Sequence, residues 1–186
     1  RTDLDSGAGE GFGQVTASDA AAVANTLAGG TLTFGSGEVA TIAANSSASQ
    51  SASVINGLTS DTGVTADARS VAVLSGIGAG AVSFQLGSDT GDTAQAVTIS
   101  ATVSSGSDLT SIANAVNAEA GTTGIQAILS SDKASVTLIS EAGDDMTITD
   151  FTTTAAANTA TVTGRNYDDT ADNAGGGPQT LTSGVA

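Results

Sequence analysis

"DLTSIANAVNAEAGTTGIQAILSSDKASVTLIS", running from Asp108 to Ser140, decides how this chain reads. Leu109, Ile112, Ala113 and Val116 recur at i, i+3, i+4 and i+7, which lines one side of a helix with apolar side chains. Ser107 or Asp108 is placed to cap its start, and Gly121 to end it. After the Thr123-Gly124 step the period changes to two. Ile125, Ala127 and Leu129 alternate with polar residues, a turn containing Lys133 follows, and Val136 and Leu138 alternate again. The stretch therefore predicts a helix followed by two short strands.

The same order occurs earlier, in "SASQSASVINGLTSDTGVTADARSVAVLSG" from Ser47 to Gly76. Ala48, Ser51, Ala52 and Ile55 occupy the helix positions, 61 residues before their counterparts. Thr62-Gly63 repeats the Thr-Gly step. Val64, Ala66 and Ala68 predict a strand, Arg69 stands where Lys133 stands in the second copy, and Val71 and Val73 predict the last strand. The weaker apolar stripe implies that the first helix packs less firmly. Two strands precede each helix: "GTLTFGSG" and "EVATIAA" in the first copy, "GAVSFQLG" and "AQAVTISATV" in the second. The connection "GSDTGD" in the second pair is longer than "GSG" in the first. The unit is strand, strand, helix, strand, strand, and the chain carries it twice.

The expected fold is strand-rich α+β: two related small lobes, each of short strands packed on one helix, with extended Gly-rich termini. Residues 1–29 form a lead-in, in which Ser18 or Asp19 caps a short helix ending near Gly29. Residues 30–79 are the first lobe and 80–155 the second. Residues 156–186 supply a strand around Val162, then a linker or extended closing segment near Pro178. "DMTITDF" predicts a further strand with Met146 and Ile148 on one face. The chain starts at Arg1 and is read as a piece inserted within a larger protein.

Composition narrows the chemistry. The chain of 186 residues has 19 acidic and 4 basic residues, for a formal net charge of -15. The bases Arg1, Arg69, Lys133 and Arg165 are scattered, whereas binding phosphate backbones needs clustered cations, so no nucleic-acid or anionic-membrane partner is expected. There is no Cys and no His, which removes disulfides, thiolate metal sites and the usual general base. No apolar run approaches the ~18 residues of a membrane span. Serine and threonine abound, but a hydroxyl nucleophile needs an adjacent base. No enzyme, cofactor or metal is expected, and the catalytic residue set is empty.

The carboxylate groups Asp144-Asp145, Asp168-Asp169 with Asp172, and Asp89 with Asp92 read as solvated turn residues, because none has the spacing of a calcium loop. Asn45-Ser46-Ser47 fits a glycosylation sequon, a pattern short enough to arise by chance. Asn56 and Asn117 each end a helix, directly after Ile55 or Val116. Two readings apply: a surface Asn fraying a helix end, or a carboxamide that bonds to backbone beyond the turn and fixes the helix-to-strand angle.

Ile55-Asn56 in "SVINGLTSDTGVTADA" and the variant Val116-Asn117 in "IANAVNAEAGTTGIQAIL" resemble the flagellin hook "IN" motif. The Thr-Gly step, alternating strand, turn and second strand that follow are similar to the family too. The likeness covers residues 47–75 and 107–140, and its structural motif residues are Ile55, Asn56, Gly63, Val116, Asn117 and Gly124. It implies the variable outer region of a bacterial flagellin, exposed on the extracellular filament surface and contributing to its antigenic and physical properties. It also implies partners: other flagellin subunits, held through parent-chain regions absent here, and neighbouring outer domains. The fragment alone is expected to be monomeric and not to polymerise, since it has no sustained heptads. Two alternatives remain: the corresponding region of a hook-associated junction or cap protein, and an extracellular adhesin or glycan-binding module. The adhesin is poorly supplied with aromatics, having Tyr167 as its single tyrosine and no Trp.

Overall fold

Alternation builds the hairpins. In the computed structural model, which describes residues 15–17, 27–89, 94–166 and 178–183, β5 (Gly80–Asp89) pairs antiparallel with β6 (Ala94–Val103). Phe84 faces Ile99 across the ladder, and Val82, Phe84 and Leu86 all turn inward. The smaller hairpin of the first unit pairs β2 (Gly30–Thr33) with β3 (Val39–Ile42). The helices follow: α1 (Ala48–Asn56) with the one-turn α2 (Thr59–Thr62), and α3 (Thr110–Ala118) with the one-turn α4 (Ala120–Thr123). The remaining strands are β1 (Val15–Ala17), β4 (Ser70–Ser75), β7 (Ile125–Leu129), β8 (Ser135–Ser140), β9 (Asp145–Thr153), β10 (Thr159–Arg165) and β11 (Gln179–Thr182).

The protein is a strand-rich α+β molecule with few short helices. Its sheets run β1-β9-β5-β6, β11-β10-β4-β8-β7 and β2-β3. Pairing is antiparallel except where β1 meets β9 in parallel. The four- and five-stranded sheets face each other across the main core, with β1 and β9 beside β10 and β11, and α3 fills the opposite opening between β6 and β7. Leu109, Ile112 and Val116 of the helical stripe are fully buried there, in one core cluster with Leu86, Leu138 and Ile148. A bulge in β9, opposite Ser83–Gln85, inserts an extra residue near Asp150. It shifts the alternation so that Phe151 joins Met146 and Ile148 in the core.

The first unit differs from expectation at its end. Residues 64–68, expected as a strand, form no ladder among the described residues, and β4 is not the edge of a separate first lobe. It lies in the middle of the five-stranded sheet, between β10 and β8. The physical reason is turn length. The second unit has residues 130–134 in which to reverse direction, with Lys133 at φ +60°, and β7 and β8 form a hairpin. The first has Arg69 alone between Ala68 and Ser70, and one residue cannot close an antiparallel hairpin. The strand therefore runs on and pairs with β8, its own counterpart. Ala72 and Leu74 thereby enter the main core, while Leu27, Ala40, Ile42 and Ile55 form a small separate one with Leu32, Phe34, Val64 and Ala66 at its rim. The expected division between residues 79 and 80 thus leaves one strand of the first unit inside the sheet of the second.

Both expected tails contribute a strand: β1 in the lead-in adds to β9, and β11 in the closing segment adds to β10. The expected helix over residues 18–29 lies almost wholly outside the described residues, as do Asp92, Tyr167, Asp168, Asp169 and Asp172. No helix among the described residues is long and apolar enough to cross a membrane.

Candidate functional site

The described residues carry their most ordered polar geometry where each unit turns from helix to strand. Ile55 and Val116 anchor the last helical turn in the two cores, at 2% and 0% exposure. This leaves the next residue, Asn56 or Asn117, at the surface. Asn117 Nδ2 donates to the Ala127 carbonyl at 2.9 Å, and the Ala127 N–H donates to Asn117 Oδ1 at 2.8 Å. Asn56 does the same with Ala66, at 2.9 and 2.8 Å. In both cases the partner is ten residues on. The carboxamide offers one donor and one acceptor side by side, as a neighbouring strand would, and so replaces a rung of sheet. The asparagines are therefore bonded beyond the turn and do not fray their helices.

The turns between share their threonine and glycine geometry. Thr62 and Thr123 donate their hydroxyls back to Leu58 and Glu119 carbonyls, and accept the N–H of Val64 and Ile125. Gly63 and Gly124 then stand at φ +68° and +69°, the left-handed conformation that L side chains resist. Gly124 rather than Gly121 ends the second helical segment, because the chain adds α4 after α3 before it turns. One bond is not repeated: the Thr59 hydroxyl donates to the Val64 carbonyl at 2.7 Å, whereas the equivalent residue in the second unit is Ala120, which has no hydroxyl.

The helix starts use different chemistry. Ser47 and Gln50 form a reciprocal capping box on α1, a pattern the sequence offers as Ser-x-x-Gln. This buries Ser47, the third residue of the sequon at Asn45. At α3 the Asp108 carboxylate accepts both the hydroxyl and the N–H of Thr110, and Lys133 lies 3.7 Å away. The Thr110 hydroxyl, then its N–H, hold the Asp108 carboxyl below the ordinary carboxylate value, with Lys133 adding to the effect. Asp132, in the β7–β8 turn, is lowered by the Ser130 hydroxyl and the Ala134 N–H.

A second feature is a shallow groove of about 730 Å³ across β5, β6 and β9. Ser83, Ser100, Thr102, Thr152, Thr153, Thr154 and Ser183 supply its hydroxyls, and its lining has no charged or aromatic side chain. Ser83 and Ser100 bond each other, and Thr154 accepts the Ala81 N–H. These bonds hold the sheet and its loop together. Among the described residues no three acidic side chains come close enough to hold a metal ion, so Asp144 and Asp145 remain turn and strand-end residues.

Compared with known families and with curated proteins, the chain matches no family model and no curated protein.

Proposed function

We propose that this chain is the surface-exposed outer domain of a bacterial flagellin subunit, a structural module and not a catalyst. The observation that carries the reading is the duplicated Ile/Val-Asn pair. Both copies end a helix, bury their aliphatic member and bracket the backbone ten residues on, with Thr-Gly in the turn between. The motif to which the sequence is similar is thus the feature around which each unit is built. The chain's net charge of -15 gives the soluble, self-repelling surface suited to the outside of a dense polymer. On this reading the module lies on the extracellular filament surface, neighbouring subunits are joined through other parts of the parent chain, and no cofactor or metal is used.

Immunogold electron microscopy of source cells, with antibody raised against this fragment, tests the proposal. Gold along the whole filament is the expected result. Gold confined to the hook junction or tip would reassign the module to a hook-associated protein. Labelling of the cell body without filaments would overturn the flagellar reading in favour of adhesion.

A further inference from the structure

Asn56 is followed by Gly57, and this is the one Asn-Gly step in the sequence. It falls on a residue whose carboxamide closes a turn, at an exposed helix end, in the unit with the smaller core. We propose that Asn56-Gly57 is a site of spontaneous deamidation, held shut by the bracket and by the last turn of α1, and that the reaction unlocks the first unit.

The chemistry needs no catalyst or cofactor. The backbone nitrogen of Gly57 attacks Cγ of Asn56. A C–N bond forms, the bond from Cγ to Nδ2 breaks, and ammonia leaves carrying the proton lost from Gly57. Water then opens the five-membered succinimide at either carbonyl, giving Asp or its β-linked isomer. Glycine favours the step because it has no Cβ to hinder ring closure. In the closed structure three things oppose it. The Gly57 N–H is engaged with the Ser53 carbonyl at 3.0 Å, Gly57 is helical at φ -62° and ψ -20°, and both atoms of the Asn56 amide are bonded to Ala66. Reaction therefore proceeds only when the helix end opens, so its rate reports the local stability of the first unit.

The product cannot rebuild the bracket. A carboxylate at position 56 sets an oxygen against the Ala66 carbonyl where Nδ2 donated, and the repulsion parts the pair, so the bond from the Ala66 N–H is lost with it. Residues 64–68 join no ladder among the described residues, and Val64 is held by the Thr59 and Thr62 hydroxyls, so loss of this rung frees the segment from Ala66 onward. The isomer also lengthens the backbone at the helix end. Asn117 provides an internal control, since it makes the same bracket but is followed by Ala118.

The test is peptide mapping by mass spectrometry on the full chain, held folded in mildly alkaline buffer, with the two acid isomers resolved. The expected result is conversion at Asn56 about tenfold faster than at Asn117, accelerated by Ile55→Ala, with the Ala66 amide losing exchange protection in the product. Gly57→Ala supplies the second variant. A Cβ there would lie 3.4 Å from the Val54 carbonyl oxygen and 3.5 Å from that of Ser53, ordinary contact, so the fold is kept while the selective lability disappears. Equal rates at Asn56 and Asn117, or a rate at Asn56 unmoved by Ile55→Ala, would overturn the proposal. So would full protection of Ala66 in the converted protein.

Discussion

The two units contain the same parts and use them unequally. The second surrounds α3 with two sheets and buries Leu109, Ile112 and Val116 completely. The first covers α1 with one two-stranded hairpin and with residues 64–68, which join no ladder among the described residues. A two-stranded hairpin is marginal by itself. The first unit is retained because its last strand is committed to the other unit's sheet, and because the segment around Gly143 clasps it. The Ser49 N–H donates to the Gly143 carbonyl at 2.9 Å, and Arg69 pairs with Glu141 at 3.2 Å. Duplication of a sequence unit thus does not duplicate its stability. One missing turn made the copies interdependent.

The sharpest way to separate the units is through their helix anchors. Ile112→Ala should cost about 3–4 kcal/mol and lower the global unfolding midpoint, because α3 fills the mouth of the main core. Ile55→Ala should cost about 2 kcal/mol and act locally, raising hydrogen exchange over residues 30–68 before the main sheet is affected. Equal global losses in denaturant titrations would erase the distinction.

Next in size is the contact between the units. Gly143 stands at φ +77°, and a Cβ there would collide with the Ala68 side chain and lie 3.0 Å from the Ala68 carbonyl carbon and the Arg69 nitrogen. Gly143→Ala should therefore cost about 2–3 kcal/mol, and proteolysis should begin in the first unit. Thermal melts together with limited digestion would reveal it.

The brackets come third. Asn117→Ala and Asn56→Ala each leave two backbone groups of the following segment without a protein partner, for about 1–2 kcal/mol. The structural consequence should differ between them. Ala127 stays in place through β8, whereas residues 64–68 should lose exchange protection together. A smaller change tests the unmatched bond. Ala120→Thr supplies the hydroxyl that Thr59 offers to Val64, and should stabilise the second turn by about 0.5 kcal/mol.

The smallest effect is set by acidity. Asp108 and Asp132, both in the second unit, have carboxyl groups held below the ordinary 3.8 by hydrogen bonds to their charged forms. Their contribution is complete above that ordinary value and is lost as pH falls through the lowered folded value. Denaturant midpoints measured from about pH 5 down to about pH 2 should therefore fall less steeply in Asp108→Asn than in the parent.

Much of this arrangement was legible beforehand. The stripe from Leu109 to Val116, the alternation of Val82, Phe84 and Leu86, and the Thr-Gly steps each follow from local periodicity or local backbone demands, and each falls in the expected element. The Asn carboxamides could be singled out by position, although their partners could be fixed only once the strand beyond the turn was in place. What local pattern could not reveal was pairing at a distance. Nothing within "SVAVLS" says that β4 will lie between β8 and β10, since a buried strand reads the same in any sheet. The bulge at Asp150 hid Phe151 by breaking the alternation from which its burial would be read. The parallel addition of β1 to β9 is set by the chain's path, and its three residues carry no pattern long enough to show it.

The account turns on β4 being shared, and native-state hydrogen exchange on the full chain tests this most directly. The prediction is that the amides of Ser70–Ser75 exchange with the slowest class, alongside β8 and β10, while Ile42 and Ala66 open earlier with the rest of the first unit. Exchange of Ser70–Ser75 in step with residues 30–68 would contradict the shared sheet and restore two independent lobes.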